Sequence, residues 1–256
     1  MKRRIDQLLV ERGLVESRQK AQALLLAGRV LVDEQKIEKP GQRVDSDARI
    51  RILGNLRFVG RAGAKLQAAL DHFGIVVKDR ICADLGASIG GFTDCLLQNG
   101  ARHVYAFDVG KGQLAWKLRC DPRVVVRDGF NVRAIRAEDL PDGISLVTMD
   151  LSFISVTKVL PALYEALVRK QRSVPGQAMI DVIVLVKPQF EAGRGEVDKG
   201  GVIRDPAKRA RILQTVIDFA RETGFQMVGS IPSPIAGASG NVEFLLWLRL
   251  SHGLLS

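Results

Sequence analysis

From residue 61 onward, helix-like and strand-like stretches take turns along the chain. A helical pattern at 61–73 precedes a strand at 81–84, and helical 92–98 leads to a strand at 103–107. Strands at 124–126 and 146–149, a helix at 156–168 and the aliphatic strand 182–186 follow. A helix at 206–223, with proline in its first turn, precedes strands near 226–231 and 242–249. Strands alternating with helices predict a doubly wound, mostly parallel α/β sheet. Ligands of such sheets sit outside the carboxyl ends of the strands. Chemistry is therefore expected at 84–91, Asp108, Asp128, Asp150 and Lys187, where polar residues fall.

The stretch before residue 61 reads differently. Ile5, Leu8, Leu9 and Val10 mark a short amphipathic helix closed by Gly13, and Ser17 is placed to cap a second helix at 18–27. Strand-like 29–32 and 49–52 follow, separated by a turn-rich segment containing Pro40-Gly41. Gly54 and Gly60 punctuate the end of this pattern. The chain divides on this reading into a small α+β module at 1–58 and a large α/β domain at 59–256.

Charge sharpens the division. The chain carries 38 Lys and Arg against 28 Asp and Glu, a formal +10. Residues 1–60 hold 13 of the basic and 8 of the acidic residues, half of the excess in under a quarter of the length. An excess that concentrated points to a polyanionic partner, nucleic acid or an anionic membrane surface. A spanning helix needs about 18 or more consecutive apolar residues, and the run at 182–186 is far shorter. Asp6, Glu11 and Arg12 interrupt any apolar stretch that could follow Met1-Lys2-Arg3-Arg4 as a signal peptide. Cys82, Cys95 and Cys120 form no CxxC pair and read as small core residues of a reducing compartment. His72, His103 and His252 lie too far apart for a zinc site, and no metal is expected. These features predict a cytoplasmic protein, monomeric when free and without a membrane partner.

The first turn of the large domain carries three competing readings. Small residues in Asp84-Leu85-Gly86-Ala87-Ser88-Ile89-Gly90-Gly91-Phe92-Thr93 let backbone approach a ligand closely. The spacing of a dinucleotide G-x-G-x-x-G is not met, and the GK[ST] of a phosphate-binding loop is absent. Gly86 to Gly90 does match the G-x-S-x-G nucleophile elbow, with Ser88, Asp150 and His252 in hydrolase order. That elbow would fall on the first strand of the sheet, with its histidine four residues from the last residue, where fraying is expected. The pattern D-x-G-x-S-x-G-G instead fits a loop for S-adenosylmethionine. Its expected companion is an acidic residue ending the next strand, where a carboxylate can accept both hydroxyls of a ribose. Asp108, 22 residues beyond Gly86 and followed by Val109, occupies that place. Asp128, after the third strand, is a candidate acceptor for the adenine amino group.

Four further residues stand out. Asp150 ends a strand in Met149-Asp150-Leu151-Ser152-Phe153-Ile154-Ser155, and Lys187 ends the aliphatic strand in Val186-Lys187-Pro188-Gln189-Phe190. A lysine beside a core strand is costly to desolvate unless paired. Lys65 lies one helical turn after Arg61, and Glu243 starts the last strand. Lys65, Asp150, Lys187 and Glu243 occur in the order and context of the K-D-K-E tetrad of FtsJ-like RNA 2′-O-methyltransferases. Ser17-Arg18-Gln19-Lys20-Ala21 and Ala27-Gly28-Arg29-Val30-Leu31-Val32 resemble an S4 RNA-binding domain. Taken whole, the chain resembles the haemolysin-A/TlyA family, on Gly60 to Leu66, Asp84 to Asp94, Asp150 to Ser155, Lys187 to Arg194, Lys199 to Pro206 and Gly240 to Leu248. Arg127-Asp128-Gly129-Phe130-Asn131 departs from the E-R-T-N stretch of that family.

The resemblance implies a Rossmann-like methyltransferase domain with S-adenosylmethionine as cofactor, held by Asp84, Gly86, Ala87, Ser88, Gly90, Gly91, Phe92, Asp108, Val109 and Asp128. It implies methylation of a ribose 2′-OH on cytidines of small- or large-subunit ribosomal RNA. Arg3, Arg4, Arg18, Lys20, Arg29 and Arg61 would grip RNA phosphates. A lysine whose pKa is lowered by burial and a neighbouring cation can act as base or steady a forming oxyanion. Lys187 takes that role on this reading, with Lys65 as its neighbouring cation and Asp150 and Glu243 holding the two ammonium groups. The alternatives are a membrane-active haemolysin and an RNA-binding ribosome-assembly factor without catalysis.

Overall fold

The computed structural model describes residues 2–26, 28–52, 57–173, 179–193, 195–198, 200–237 and 240–250. Ala27, the linker 53–56, Arg194, Lys199 and His252, which entered the sequence reading, lie outside the described residues. The chain separates into two compact units, Met1–Leu56 and Arg57–Ser256.

In the first unit, β1 (Lys2–Arg4) leads into α1 (Ile5–Glu11) and α2 (Arg18–Leu26), followed by β2 (Val30–Val32), β3 (Gln35–Ile37), β4 (Arg43–Asp45) and β5 (Ile50–Ile52). Ser17 Oγ accepts the Lys20 N–H at 3.2 Å, the cap its position predicts. Gly13 follows α1 at φ +66°, as expected of a helix-ending glycine. The segment expected to be turns carries two more strands. β3 pairs with β2, which also pairs with β5, while β4 pairs antiparallel with β1. Three-residue strands have too little period-2 pattern to be recognised, and β1 and β4 lie about forty residues apart. Ile5, Leu8, Leu9, Ala21, Leu25 and Val30 form the centre of this unit's own core.

The second unit contains α3 (Ala62–Phe73), β6 (Ile81–Leu85), α4 (Gly91–Gln98), β7 (His103–Asp108), α5 (Trp116–Arg119), β8 (Val124–Asp128) and β9 (Ile144–Met149). After them come α6 (Leu160–Ser173), β10 (Ile180–Val186), α7 (Pro188–Glu191), α8 (Pro206–Thr223), β11 (Gln226–Pro232) and β12 (Phe244–Leu250). Among the described residues these strands form one seven-stranded sheet in the order β11-β12-β10-β9-β6-β7-β8. β12 alone runs antiparallel to both of its neighbours. The helix expected from residue 156 starts as a 3-10 turn at Val156–Lys158, and regular α-helix begins at Leu160. Pro161, which lacks a backbone N–H, occupies the first turn of α6, where helices tolerate it.

Side chains alternate across β10 as strand geometry requires. Val182, Val184 and Val186 join one core with Leu160, Leu163 and Val216, while Ile183 and Leu185 join the other with Leu66, Ala69 and Leu96. Helices thus cover both faces. Strand order reverses between β6 and β9, because β7 and β8 build outward from β6 before the chain returns to place β9 on its other side. A crevice opens at the carboxyl ends of strands at such a switch point.

Candidate active site

The crevice at the carboxyl ends of β6 and β9 holds a cavity of about 670 Å³, lined by Gly86, Ser88, Asp108, Val109, Gln113, Phe130 to Arg133 and Asp150 to Ile154. That volume lies within the range of small-molecule sites. A smaller space of about 150 Å³ adjoins it, lined by Gly60, Ala62, Ala87, Ile89, Gly91, Phe92 and Lys187. Gly86, Ser88, Asp150 and Ser152 border both.

The loop after β6 is shaped by glycine. Gly86 sits at φ +88°, and a Cβ there would lie 2.5 Å from the Asp150 carbonyl oxygen. Gly90 adopts φ +99° at the N-cap of α4 and leaves room for Leu114 and Leu118. Ser88 carries φ +49°, and its N–H donates to Asp108 Oδ2 at 2.7 Å. The Gly110 N–H donates to Asp108 Oδ1, also at 2.7 Å. Two backbone donors therefore fix the Asp108 carboxylate at the cavity wall. Each carboxylate oxygen keeps acceptor capacity, which suits a pair of vicinal hydroxyls.

Asp84 is placed below the loop instead of in either cavity. It is fully buried, accepts the Thr93 hydroxyl at 2.6 Å and the Thr148 hydroxyl at 3.0 Å, and so ties α4 and β9 to β6. Burial pushes its carboxyl up to about 7, with the two hydroxyls acting against that rise and the nearby Asp150 charge adding to it. Asp128 also stands apart from the cavity lining. Its Oδ2 accepts from both Arg119 Nη atoms at 2.9 and 2.7 Å and from the Gly112 N–H, so it braces α5 against the strand end. Phe130 and Asn131, two and three residues further on, reach the cavity in its place. Gln113, Ser152, Phe153 and Ile154 are further lining residues that motif reading passed over, although strand-end topology points to their neighbourhood.

Lys65, Asp150, Lys187 and Glu243 assemble as two ion pairs. Lys65 Nζ lies 2.5 Å from Glu243 Oε2, with both side chains almost wholly buried. Lys187 Nζ lies 2.6 Å from Asp150 Oδ1 and donates to Ser152 Oγ at 2.9 Å. The sheet sets this arrangement. Val186 and Phe244 are register partners of β10 and β12, so Lys187 and Glu243 occupy the next positions, side by side. Glu243 precedes the last strand; it had been expected to start it. Lys65 is positioned where α3 crosses the start of α4, a contact only small residues allow. A Cβ on Gly63 would collide with Phe58 and with the Gly91 carbonyl. Glu191 on α7 braces the Asp150 loop by accepting the Val156 N–H at 2.9 Å and the Ser155 hydroxyl at 2.5 Å. Burial raises the Glu191 carboxyl above its ordinary range, against those two donors.

The basic residues expected to hold RNA are largely engaged within the first unit. Buried Asp6 accepts from Arg4 at 3.0 and 3.1 Å, from Arg18 at 2.9 Å and from Gln22 at 3.1 Å, which together hold its carboxyl far below the usual range. Arg3 pairs with Glu11 and Lys20 with Glu16. Each of these four basic side chains remains about half exposed beyond its partner. Arg29 lies between α2 and β2, and Arg61, exposed, stands at the N-cap of α3 in the second unit. Cys82 and Cys95 are buried core thiols, pushed up to about 12 chiefly by burial, whereas Cys120 is exposed at the end of α5, where no core packing holds it. Among the described residues no cluster of His, Cys, Asp or Glu could hold a metal, and no helix is long and apolar enough to cross a membrane.

Comparison with known proteins agrees with this geometry. The FtsJ-like methyltransferase family matches residues 58–250, and the S4 domain matches residues 3–50. The chain is 49% identical over 250 residues to YqxC of Bacillus subtilis (strain 168), named as a candidate rRNA methyltransferase, covering 97% of this chain and 86% of that protein. It is 46% identical over 248 residues to the 16S/23S rRNA (cytidine-2′-O)-methyltransferase TlyA of Mycobacterium tuberculosis (strain H37Rv), covering 96% and 89%. A solved structure from Streptococcus thermophilus, described as a candidate hemolysin, superposes with a TM-score of 0.74 at 42% identity over 98% of this chain and 90% of that one. The cofactor of the fold is S-adenosylmethionine, and the braced Asp108 carboxylate and the glycine-shaped wall of the larger cavity fit it. This chain, an S4 domain followed by a seven-stranded α/β domain, belongs to the FtsJ-like methyltransferase family.

Proposed function

We propose that the protein is an S-adenosylmethionine-dependent methyltransferase acting on a ribose 2′-OH of ribosomal RNA, on cytidine in the small- or large-subunit RNA or both. The observation that carries this reading is the pair of buried ion pairs, Lys65–Glu243 and Lys187–Asp150, beside a cavity suited to the cofactor. S-adenosylmethionine supplies a methyl group activated by its sulfonium. The protein must then present a poor nucleophile, a ribose hydroxyl, in line with that methyl and in the right orientation. Gly86, Ala87, Ser88, Gly90, Gly91 and Phe92 shape the cofactor's approach, Asp108 receives its ribose hydroxyls, and Val109 and Phe130 flank the base. Lys187 borders the smaller space and, fixed by Asp150 and Ser152, directs its ammonium group at the incoming 2′-oxygen. Lys65, fixed by Glu243, is the second cation of the set. Lys187 steadies negative charge developing on the oxygen and Asp150 keeps the ammonium in place.

Phe153, 91% exposed at φ +65°, presents an unburied ring at the mouth of the larger cavity, a surface on which a nucleobase can stack. The first unit contributes phosphate contacts through Arg3, Arg4, Arg18, Lys20 and Arg29, and Arg61 adds one on the catalytic unit. With ribosomal RNA as substrate the protein works in the cytoplasm, and it acts as a monomer when free.

The test is incorporation of labelled methyl from S-adenosylmethionine into unmethylated 16S rRNA, 23S rRNA and ribosomal subunits, comparing wild type with Lys187→Ala. Label at a 2′-O position, lost in the variant, is expected. Wild type that labels neither RNA would overturn the enzymatic reading in favour of an RNA-binding assembly factor. Equal label from both proteins would remove Lys187 from the chemistry.

A further inference from the structure

The chain has two tryptophans, and they are treated in opposite ways. Trp247 on β12 is half-buried, stacks near Phe73 and donates its indole N–H to Asp181 at 2.9 Å. Trp116, at the start of α5, is 79% exposed. An indole left in water forgoes one of the largest burial gains available to a side chain. Isolated exposed apolar residues are common on protein surfaces, so its surroundings decide whether it matters.

Those surroundings are the cofactor loop and two basic residues, Lys117 next to Trp116 in sequence and Arg61 next to Gly60, which packs on the loop. The Ala115 N–H donates to the Ile89 carbonyl at 3.1 Å, which fixes the residue preceding Trp116 to the loop. Leu114 and Leu118, on either side, are buried against Gly90, so the segment cannot turn to bury the indole without unseating the loop. Ile89 is itself half exposed, lines the smaller space beside Lys187, and lies against Gly60, next to Arg61. Lys117 is 58% exposed while paired at 2.9 Å with buried Asp94, which also accepts the Val59 N–H. Trp116 thus presents an exposed ring on the segment bonded to the loop that lines the space assigned to the reacting ribose, with exposed Lys117 next to it in sequence and exposed Arg61 next to Gly60 of that lining.

We propose that Trp116 is a stacking platform for an unpaired nucleotide of the RNA substrate, adjacent to the one being methylated, with Lys117 and Arg61 holding its phosphates. Aromatic rings flanked by basic side chains bind single-stranded nucleic acid in this way, because every base has a π-face and every linkage a negative charge. The positive surroundings favour a polyanion over a second copy of this net-positive chain. The proposal rests on the RNA methyltransferase reading and extends it to a second nucleotide.

Trp116→Ala and Trp116→Phe test it in two arms. In the first, the KM for unmethylated rRNA is measured together with the affinity for S-adenosylmethionine and the urea midpoint. Trp116→Ala raises the KM for RNA about 5- to 150-fold, the span of base–aromatic stacking converted to an equilibrium constant. Trp116→Phe stays within a few-fold of wild type, and cofactor affinity and midpoint do not move. In the second arm a 12-nucleotide single-stranded oligocytidylate quenches wild-type indole fluorescence and leaves that of Trp116→Phe, which reports Trp247, unchanged. A wild-type KM in Trp116→Ala, a fall in cofactor affinity equal to the rise in KM, or dimers of the wild type that the alanine variant dissolves would each overturn the proposal. Absence of methylation by the wild type would count against the enzymatic reading, and the fluorescence arm would then decide the stacking by itself.

Discussion

Replacing Glu243 by leucine leaves Lys65 buried without its carboxylate. The Lys65 and Glu243 side chains are 10% and 3% exposed, and their charged atoms lie 2.5 Å apart. Breaking a buried pair by removing one partner costs about 3–5 kcal/mol, because the remaining charge is stranded in low dielectric. For a unit of this size each kcal/mol lowers the melting temperature by about 2–4 °C, so Glu243→Leu is expected to melt about 6–20 °C below wild type. Exchanging both members for apolar residues of similar volume removes the stranded charge and is often neutral or stabilising. The Lys65→Met/Glu243→Leu double variant is therefore expected to recover most of that loss. Circular dichroism melts of wild type, both single variants and the double variant give the coupling energy directly. Methyl incorporation into rRNA by the same four proteins separates fold from chemistry, since the double variant should be stable and inactive. Destabilisation below about 1 kcal/mol in the single variants, or simple additivity in the double, would refute the buried-pair argument. Full activity in the double would refute a role for the pair in methyl transfer.

Asp108→Ala removes a fixed acceptor from the cavity wall and should weaken S-adenosylmethionine binding about 10- to 150-fold, as expected for hydrogen bonds to a charged group. Calorimetry reads it, and unchanged affinity would mean that the diol binds elsewhere. Asp84, raised from its ordinary value to about 7 by burial, binds a proton in the native state that the unfolded chain has released. Its contribution to stability is therefore complete below about pH 4 and is lost as pH rises toward 7. Asp84→Asn should flatten that part of the stability–pH curve in urea titrations at successive pH values, and an unaltered slope would show that Asp84 titrates normally. Gly86→Ala combines φ +88° with a Cβ 2.5 Å from the Asp150 carbonyl. It should cost about 1–2 kcal/mol in conformation alone and displace Asp150, lowering kcat for methyl transfer. A variant with wild-type stability and kcat would contradict this close approach.

The sheet, Asp150 and Lys187 are legible in the sequence because their signals are local, whereas Lys65 and Glu243 stand out only through the resemblance to the K-D-K-E tetrad. The aliphatic run of five at 182–186 declares a buried strand and Lys187 follows it directly, while Asp150 follows the shorter strand-like 146–149. What was not legible depends on pairing at a distance. Nothing in Lys2-Arg3-Arg4 announces a strand until Arg43-Val44-Asp45 lies beside it. Asp128 matched the position of an adenine acceptor, but Arg119, nine residues earlier, claims its carboxylate. Asp84 matched the first position of a cofactor motif, and only the hydroxyls of Thr93 and Thr148 reveal it as an internal tie. Arg4 and Arg18 looked like free phosphate ligands because the burial of Asp6 between them cannot be read from three isolated letters.

The order of residues along the chain also separates two capacities in time. Every residue lining the larger cavity falls between 86 and 154, whereas the two ion pairs wait for Lys187 and Glu243. Lys65 meets a partner 178 positions further along the chain. During synthesis, a chain can therefore have made its whole cofactor wall while lacking the means to use it. The antiparallel insertion of β12 between β10 and β11 completes the charged set, so the ion pairs close with the last strand of the sheet. Contacts so distant in sequence form late, because loop closure must precede them. In this protein, competence for chemistry is a property of the finished fold.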